Sequence, residues 1–269
     1  MTIEDAETGA EASADTPADA TSDATSDAKA AAKAQRPHIP VWQETLILLV
    51  IAVVLAVVLK AFFVQAFYIP SESMEPGLVK NDRILVQKVS YWSGSPQRGD
   101  VVVFEDPGGW LGAGDVTGPA NPLTKALAKI GLFPSGGHLV KRVIGVAGDT
   151  IVCCDEQGRL SVNGEPIDES DYTLPGKIDQ HDCFGPMTGN CDWTAGPVPE
   201  GAIFVMGDNR ANSADSTVHM CLEGETECTR NPYVDVDLVV GKVFALVWPL
   251  SHFGGVGGTD AFDKVPAAK

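Results

Sequence analysis

Between Thr45 and Leu59 the chain runs fifteen residues without a charge, and after Lys60 the apolar character resumes through Ala61–Phe67. Such a run has to leave water. With the Lys60 ammonium snorkelling to the outer interface, Leu46–Phe67 is 22 residues long, enough to cross roughly 30 Å of hydrocarbon as a helix. A core helix of a soluble domain would carry polar residues along one face, and residues 46–59 carry none. A cleaved leader would lie nearer the N-terminus and would end in a small-x-small exit, which is not evident here. The expectation is one transmembrane helix over residues 43–67.

Ahead of it, residues 1–42 hold eight acids (Glu4, Asp5, Glu7, Glu11, Asp15, Asp19, Asp23, Asp27) against three bases. A segment so poor in apolar side chains does not offset the entropy of ordering it. It is expected to be a disordered acidic tail, with an Ala-rich helix open only for residues 28–35. Lys29, Lys33 and Arg36 stand just before the span and place the tail in the cytoplasm, although Lys80, Arg83 and Lys88 lie near the membrane on the far side.

The cysteines add weight to that orientation. All six (Cys153, Cys154, Cys183, Cys191, Cys221, Cys228) follow the span, which suits disulfides in an oxidising exterior, with buried free thiols as the alternative. Their pairing stays open; Cys221 with Cys228, bracketing Leu222–Glu227, is the first pair to test. There is no C-x-x-C and the five histidines do not cluster around the cysteines, so no metal or other cofactor is expected. A net charge of −17 with no basic stripe argues against nucleic acid. The reading is a monomer, single-pass in the cell membrane, whose partners are membrane lipid and a protein substrate.

From residue 68 to 253 short β-branched runs alternate with turn residues: Arg83–Val89, Asp100–Phe104, Leu139–Val146, Thr150–Cys153, Leu160–Val162, Ala202–Met206 and Leu238–Trp248. That spacing predicts a mainly β, antiparallel domain. Asn163-Gly164 is a hairpin signal, because both residues tolerate positive φ. Insertions are expected near 108–138, where Leu123–Leu132 could form a short helix, and near 168–199; residues 254–269 are expected to be a flexible tail.

Three strings carry candidate chemistry. Pro70-Ser71-Glu72-Ser73-Met74-Glu75-Pro76-Gly77-Leu78 leaves the span with two serines two apart, which on an extended segment face the same way. Lys141 sits within the apolar run Leu139–Val146; there it either snorkels from an edge strand or loses its proton, and a neutral lysine is a general base. Gly207-Asp208-Asn209-Arg210-Ala211-Asn212-Ser213-Ala214-Asp215-Ser216 is turn-rich. Its hydroxyls could aim a base, and Asp208 and Asp215 could pair with Arg142 or Arg210.

Taken together with Arg98–Phe104 (RGDVVVF) and Lys141–Asp149 (KRVIGVAGD), these strings resemble, in order and character, the boxes of bacterial type I signal peptidases, serine proteases with a Ser–Lys dyad. The resemblance runs from the span to Pro249. It implies Ser73 as nucleophile, Lys141 as general base, Ser71 as an oxyanion donor beside the Ser73 N–H, and Ser213 as the group orienting the lysine. It also implies that Phe67, Ile69, Pro70, Met74, Leu78, Leu139 and Val140 line shallow apolar pockets for small residues at −1 and −3 of a signal peptide on an exported preprotein. The fold implied is that of signal peptidases and repressor-type proteases. Ala211 stands where the family often has Asp, and Thr217 where Arg often follows the ADS string, so weaker ion pairing is expected around Asp215. The inserts and cysteines suggest an actinobacterial type.

Overall fold

The computed structural model describes residues 40–112, 121–122, 137–174, 192–221, 225 and 228–268. Pro40 opens the one helix of any length among them, α1 (Val41–Phe62), its carbonyl accepting from the N–H groups of Gln43 and Glu44. Twenty-two residues at 1.5 Å each make roughly 33 Å. Leu46, Leu48, Ile51, Val54 and Leu55 are each more than half exposed, so among the described residues no protein surface covers the apolar helix. By length and composition it can cross a membrane.

The helix ends before the sequence reading expects. Val64–Tyr68, of which Val64–Phe67 is counted there within the span, is strand β1 and pairs residue for residue with β2 (Arg83–Gln87), from Val64 opposite Gln87 to Tyr68 opposite Arg83. The alternation Val-Gln-Ala-Phe-Tyr suits a strand, and a complete ladder satisfies its backbone at no cost in buried polar groups. Lys88 N–H prolongs the ladder to the Phe63 carbonyl, so helix and sheet join without a loop.

The remaining strands are β3 (Val101–Glu105), β4 (His138–Gly145), β5 (Ile151–Cys153), β6 (Ser161–Val162), β7 (Glu165–Pro166), β8 (Trp193–Ala195), β9 (Ala202–Met206), β10 (Val234–Asp235), β11 (Val239–Trp248) and β12 (Gly254–Gly255). They form a mainly antiparallel fold of two sheets. The larger has the order β1-β2-β11-β3-β4-β9-β10, with β12 on β11; the smaller has the order β7-β6-β5-β8. All seven expected runs are strands to within two residues at each end. The Asn163-Gly164 hairpin is present, with φ of 54° and 84° at its two turn residues. Three apolar clusters fill the interior, and the one around Ile151, Leu160, Val162, Trp193 and Phe204 packs the small sheet against β9.

Several expectations fall otherwise. Trp193–Ala195, placed in an irregular excursion, is a strand against β5. Residues 254–268 are docked, not frayed: Phe262 and Val265 are buried in the cluster of the small sheet, and the Pro266 carbonyl accepts from Asn163 Nδ2 at 3.0 Å and Arg98 Nη2 at 3.3 Å. Cys221 and Cys228 are joined, as are the adjacent Cys153 and Cys154. Cys183, Cys191, the expected helix at 123–132 and nearly all of the acidic tail lie outside the described residues.

If the closing segment is part of the core, Phe262→Ala should lower the unfolding free energy by about 3 kcal/mol or more, the ordinary cost of emptying a buried aromatic site. Denaturant titration of the detergent-solubilised chain measures it; an unchanged midpoint would place Phe262 outside the cooperative core.

Candidate active site

A lysine on an edge strand reaches water easily; one on a central strand does not. β4 is central, with Val102 of β3 opposite Lys141 and Met206 of β9 opposite Arg142. Lys141 is 4% exposed, and its Nζ lies 2.7 Å from Ser73 Oγ. Burial pulls the Lys141 pKa down to about 8, against the charges of Asp215 and Asp208, which work to raise it.

Ser73 is delivered by the chain leaving β1. Ile69 N–H bonds to the Asp82 carbonyl and Asn81 N–H to the Ile69 carbonyl. The next residues then fold into consecutive turns, with Glu75 N–H on the Glu72 carbonyl and Leu78 N–H on the Met74 carbonyl. The segment is therefore turned where an extended one was expected. The two hydroxyls still converge, Ser71 Oγ lying 3.3 Å from Ser73 Oγ, with Ser71 exposed and Ser73 buried. Buried Met74 and Leu78 anchor the turns in the apolar cluster beneath.

The loop after β9 holds this segment from the other side. Asn209 donates its backbone N–H to the Ser73 carbonyl at 3.0 Å and its side-chain amide to the Glu72 carbonyl at 3.1 Å. Gly207 fits because it lacks a side chain: a Cβ there would lie 2.4 Å from the Ser73 carbonyl oxygen and 2.3 Å from Ser213 Oγ. Ser213 is thus beside the nucleophile's backbone. Its hydroxyl donates to Asp215 Oδ2 at 2.6 Å, and the hydrogen bond of Lys141 Nζ in this structure goes to Ser73.

Asp215 pairs with neither arginine. Its Oδ2 also accepts from Gly207 N–H, and its Oδ1 from the N–H and hydroxyl of Thr217 at 3.0 and 2.8 Å. Thr217, read as a lost charge, therefore supports Asp215 with two neutral donors. Arg142 makes a two-bond pair with Asp208, both at 2.7 Å, adds a bond to the Gly99 carbonyl and lies 4.2 Å from the Tyr172 ring centre. Burial pushes the Asp208 carboxyl up even so, because desolvation outweighs the stabilisation that Arg142 provides.

Arg210 bonds the Gly207 carbonyl and pairs with Glu169 through both guanidinium nitrogens. Its own burial works against the charge, yet Glu169 keeps Arg210 above its ordinary pKa. Glu169 and Tyr172 belong to the second expected insertion and were not singled out by sequence; a lone acid in a long irregular loop carries no periodic signal. Gly207 stood in a quoted string without a role, and the tightness around it is visible only in space.

Of the expected pocket residues, Phe67, Ile69, Met74, Leu78 and Val140 share one apolar cluster. Leu139 packs elsewhere, with Val102, Phe104 and Trp110, and Pro70 is exposed. No buried side-chain nitrogen or oxygen among the described residues lacks a partner.

Known proteins share this arrangement of sequence. Residues 42–248 match the family model described as signal peptidase, peptidase S26. The chain belongs to the signal peptidase family. It is 38% identical over 237 residues to a probable signal peptidase I of Mycobacterium leprae, covering 81% of this chain and 80% of that one. It is 41% identical over 234 residues to signal peptidase I of Mycobacterium tuberculosis (strain CDC 1551 / Oshkosh), covering 80% and 75%. Both are mycobacterial, in keeping with the actinobacterial type. A signal peptidase I of Leptolyngbya laminosa is 32% identical over 208 residues, covering 77% of this chain and 80% of that one.

For a signal peptidase built this way, Gly207→Ala is a local test of the loop. The added methyl meets the Ser73 backbone carbonyl oxygen as well as the Ser213 side chain, so the Ser73 carbonyl must move even where the Ser213 hydroxyl turns away. A displacement of that order costs about 10²-fold in kcat, read in a preprotein cleavage assay beside a thermal unfolding curve. Wild-type turnover in a folded variant would show that the loop does not set the nucleophile.

Proposed function

We propose that the chain is a membrane-anchored serine endopeptidase in which Ser73 attacks the carbonyl at a signal-peptide junction and Lys141 is the general base. The observation that carries the reading is the 2.7 Å approach of Lys141 Nζ to Ser73 Oγ with both groups buried. A serine hydroxyl is a weak nucleophile until a neighbouring base takes its proton, and an amine with a pKa near 8 is neutral often enough at neutral pH to do so.

The steps follow from that contact. Neutral Lys141 accepts the Ser73 proton as Oγ bonds to the carbonyl carbon. The oxyanion takes donors from the Ser73 N–H and the Ser71 hydroxyl, which lies beside the nucleophile. As the C–N bond breaks, Lys141 returns the proton to the leaving amine, which departs as the new N-terminus. Water then enters, gives a proton to Lys141 and its oxygen to the ester carbonyl, and Ser73 is regenerated. Ser213, committed as a donor to Asp215, offers only lone pairs, which suits an N–H of Lys141 and so supports its role in aiming the amine.

The cluster of Phe67, Ile69, Met74, Leu78 and Val140 beside the nucleophile supports selection of small residues at −1 and −3. Single-pass anchoring through α1, a cytoplasmic N-terminus and an exterior catalytic domain agree with the paired cysteines and with the lysines and arginine before the span.

Ser73→Ala and Lys141→Met should each reduce preprotein cleavage by about 10⁴-fold or more while the fold persists, as loss of one member of a coupled nucleophile and base does. An active Lys141→Met enzyme would remove lysine from the mechanism. The pH dependence has a definite sign: protonation disables the base, so kcat/KM should fall with falling pH below about 8 and level off above it. A profile flat down to pH 5 would contradict a lysine base.

A further inference from the structure

Residues 168–174 make a short turn that touches three parts of the site at once. Thr173 bridges to Pro76 in the segment that bears Ser73. Tyr172, largely buried, lies against Arg142, the residue after Lys141 on β4. Glu169 pairs with Arg210, and Leu174 N–H bonds to the Asp208 carbonyl, both in the loop after β9. The turn is held internally, with the Glu169 carbonyl accepting from Thr173 N–H and Thr173 Oγ1, and its carboxylate accepting from Tyr172 OH at 2.6 Å.

Traced through side chains, the links run Arg210, Glu169, Tyr172, Arg142, Asp208. The ends of that path sit two residues apart in one loop, so the path closes on itself and includes Arg142 of β4. We propose that Glu169 is a positioning residue for the Ser73–Lys141 pair and that the 168–174 turn is the strap through which it acts. This rests on the dyad reading above.

The physical case is one of rigidity. Arg142 and Lys141 are consecutive on one strand, so a shift that repacks the Arg142 guanidinium also moves the Lys141 backbone. Tyr172 packs its ring on that guanidinium, while Asp208 takes hydrogen bonds from its Nε and Nη2. The Tyr172 hydroxyl is fixed in turn by Glu169, whose other partner is the nearly inaccessible Arg210. A buried two-bond carboxylate–guanidinium pair has one good geometry, which suits it to setting register between a strap and a loop. The charged groups facing the strap are Arg142, Arg210, Asp208 and, at its Asp168 end, Arg159; those facing Lys141 are Asp208 and Asp215.

The test uses the full chain in detergent with a peptide ester substrate. The burst of acyl-enzyme counts competent sites, so kcat is expressed per titrated site and loss of folded protein drops out. Glu169→Gln should lower kcat per site by about tenfold or more with KM within about threefold of wild type, the signature of misplacement at the reacting atoms. Because that variant leaves Arg210 buried without a counter-ion, the neutral pair Glu169→Gln with Arg210→Gln is measured beside it and should remain at least about tenfold slow. Tyr172→Phe, which keeps the ring on Arg142 and drops only the hydroxyl, should lose about threefold or more. Glu225→Gln, in an exposed ion pair with Arg230, is the unaffected control. Turnover per site within twofold of wild type in both the neutral pair and Tyr172→Phe would overturn the strap. A normal burst in Ser73→Ala would overturn the dyad instead, leaving the two failures distinct.

Discussion

An amine held out of water is the constraint on which the rest of this molecule depends. Desolvation lowers the affinity of Lys141 for its proton, and only a central strand with packed neighbours on either side can impose it. Everything adjacent then has to be satisfied without water. The buried arginines are each given a carboxylate, Asp208 for Arg142 and Glu169 for Arg210, and Asp215 is met by four neutral donors. A buried charge left alone here would cost several kcal/mol, so the network is as much a condition of burying the lysine as an adjunct to catalysis.

The fold serves that requirement economically. β3, β4 and β9 bury the lysine, while β1 and β2 carry Ser73 from the helix end to the same place. Because α1 passes into β1 with only Phe63 between them, the serine is tied to the helix by a strand and a few turns and not by a long linker. On the proposed anchoring through α1, a substrate whose own apolar segment lies in the same bilayer meets an enzyme confined to that surface, which raises the frequency of encounter.

How much of this was legible in the sequence divides along the range of the interactions. Alternating β-branched runs marked seven strands, and Asn163-Gly164 marked a hairpin, because each depends on neighbours a few residues away. The boundary at Phe62 was not legible, since Val64–Tyr68 is apolar enough to continue a helix and becomes a strand only because β2 lies alongside. Phe262 and Val265 hid in a Gly- and Ala-rich stretch with no period. Ser73 and Lys141 were singled out by resemblance and lie together in space, whereas Glu169 and Tyr172 were not singled out, because their partners Arg210 and Arg142 lie dozens of residues away and an insertion has no motif to betray them.

Thr217 shows why a missing charge need not mean a weakened site. An arginine at that position would have placed a cation on Asp215 and muted its field at Lys141. With threonine, Asp215 keeps its full charge and receives its hydrogen bonds from dipoles, which fix its orientation while leaving the field intact. That field opposes the desolvation of Lys141, as the charge of Asp208 also does. The base thus sits between two opposing effects, burial that strips its proton and carboxylates that return it. Their balance near pH 8 suits the proposed role of Lys141, an amine basic enough to activate serine and still accessible in its neutral form. On the proposed mechanism, loop residues such as Thr217 bear on the working pH through the carboxylate they orient.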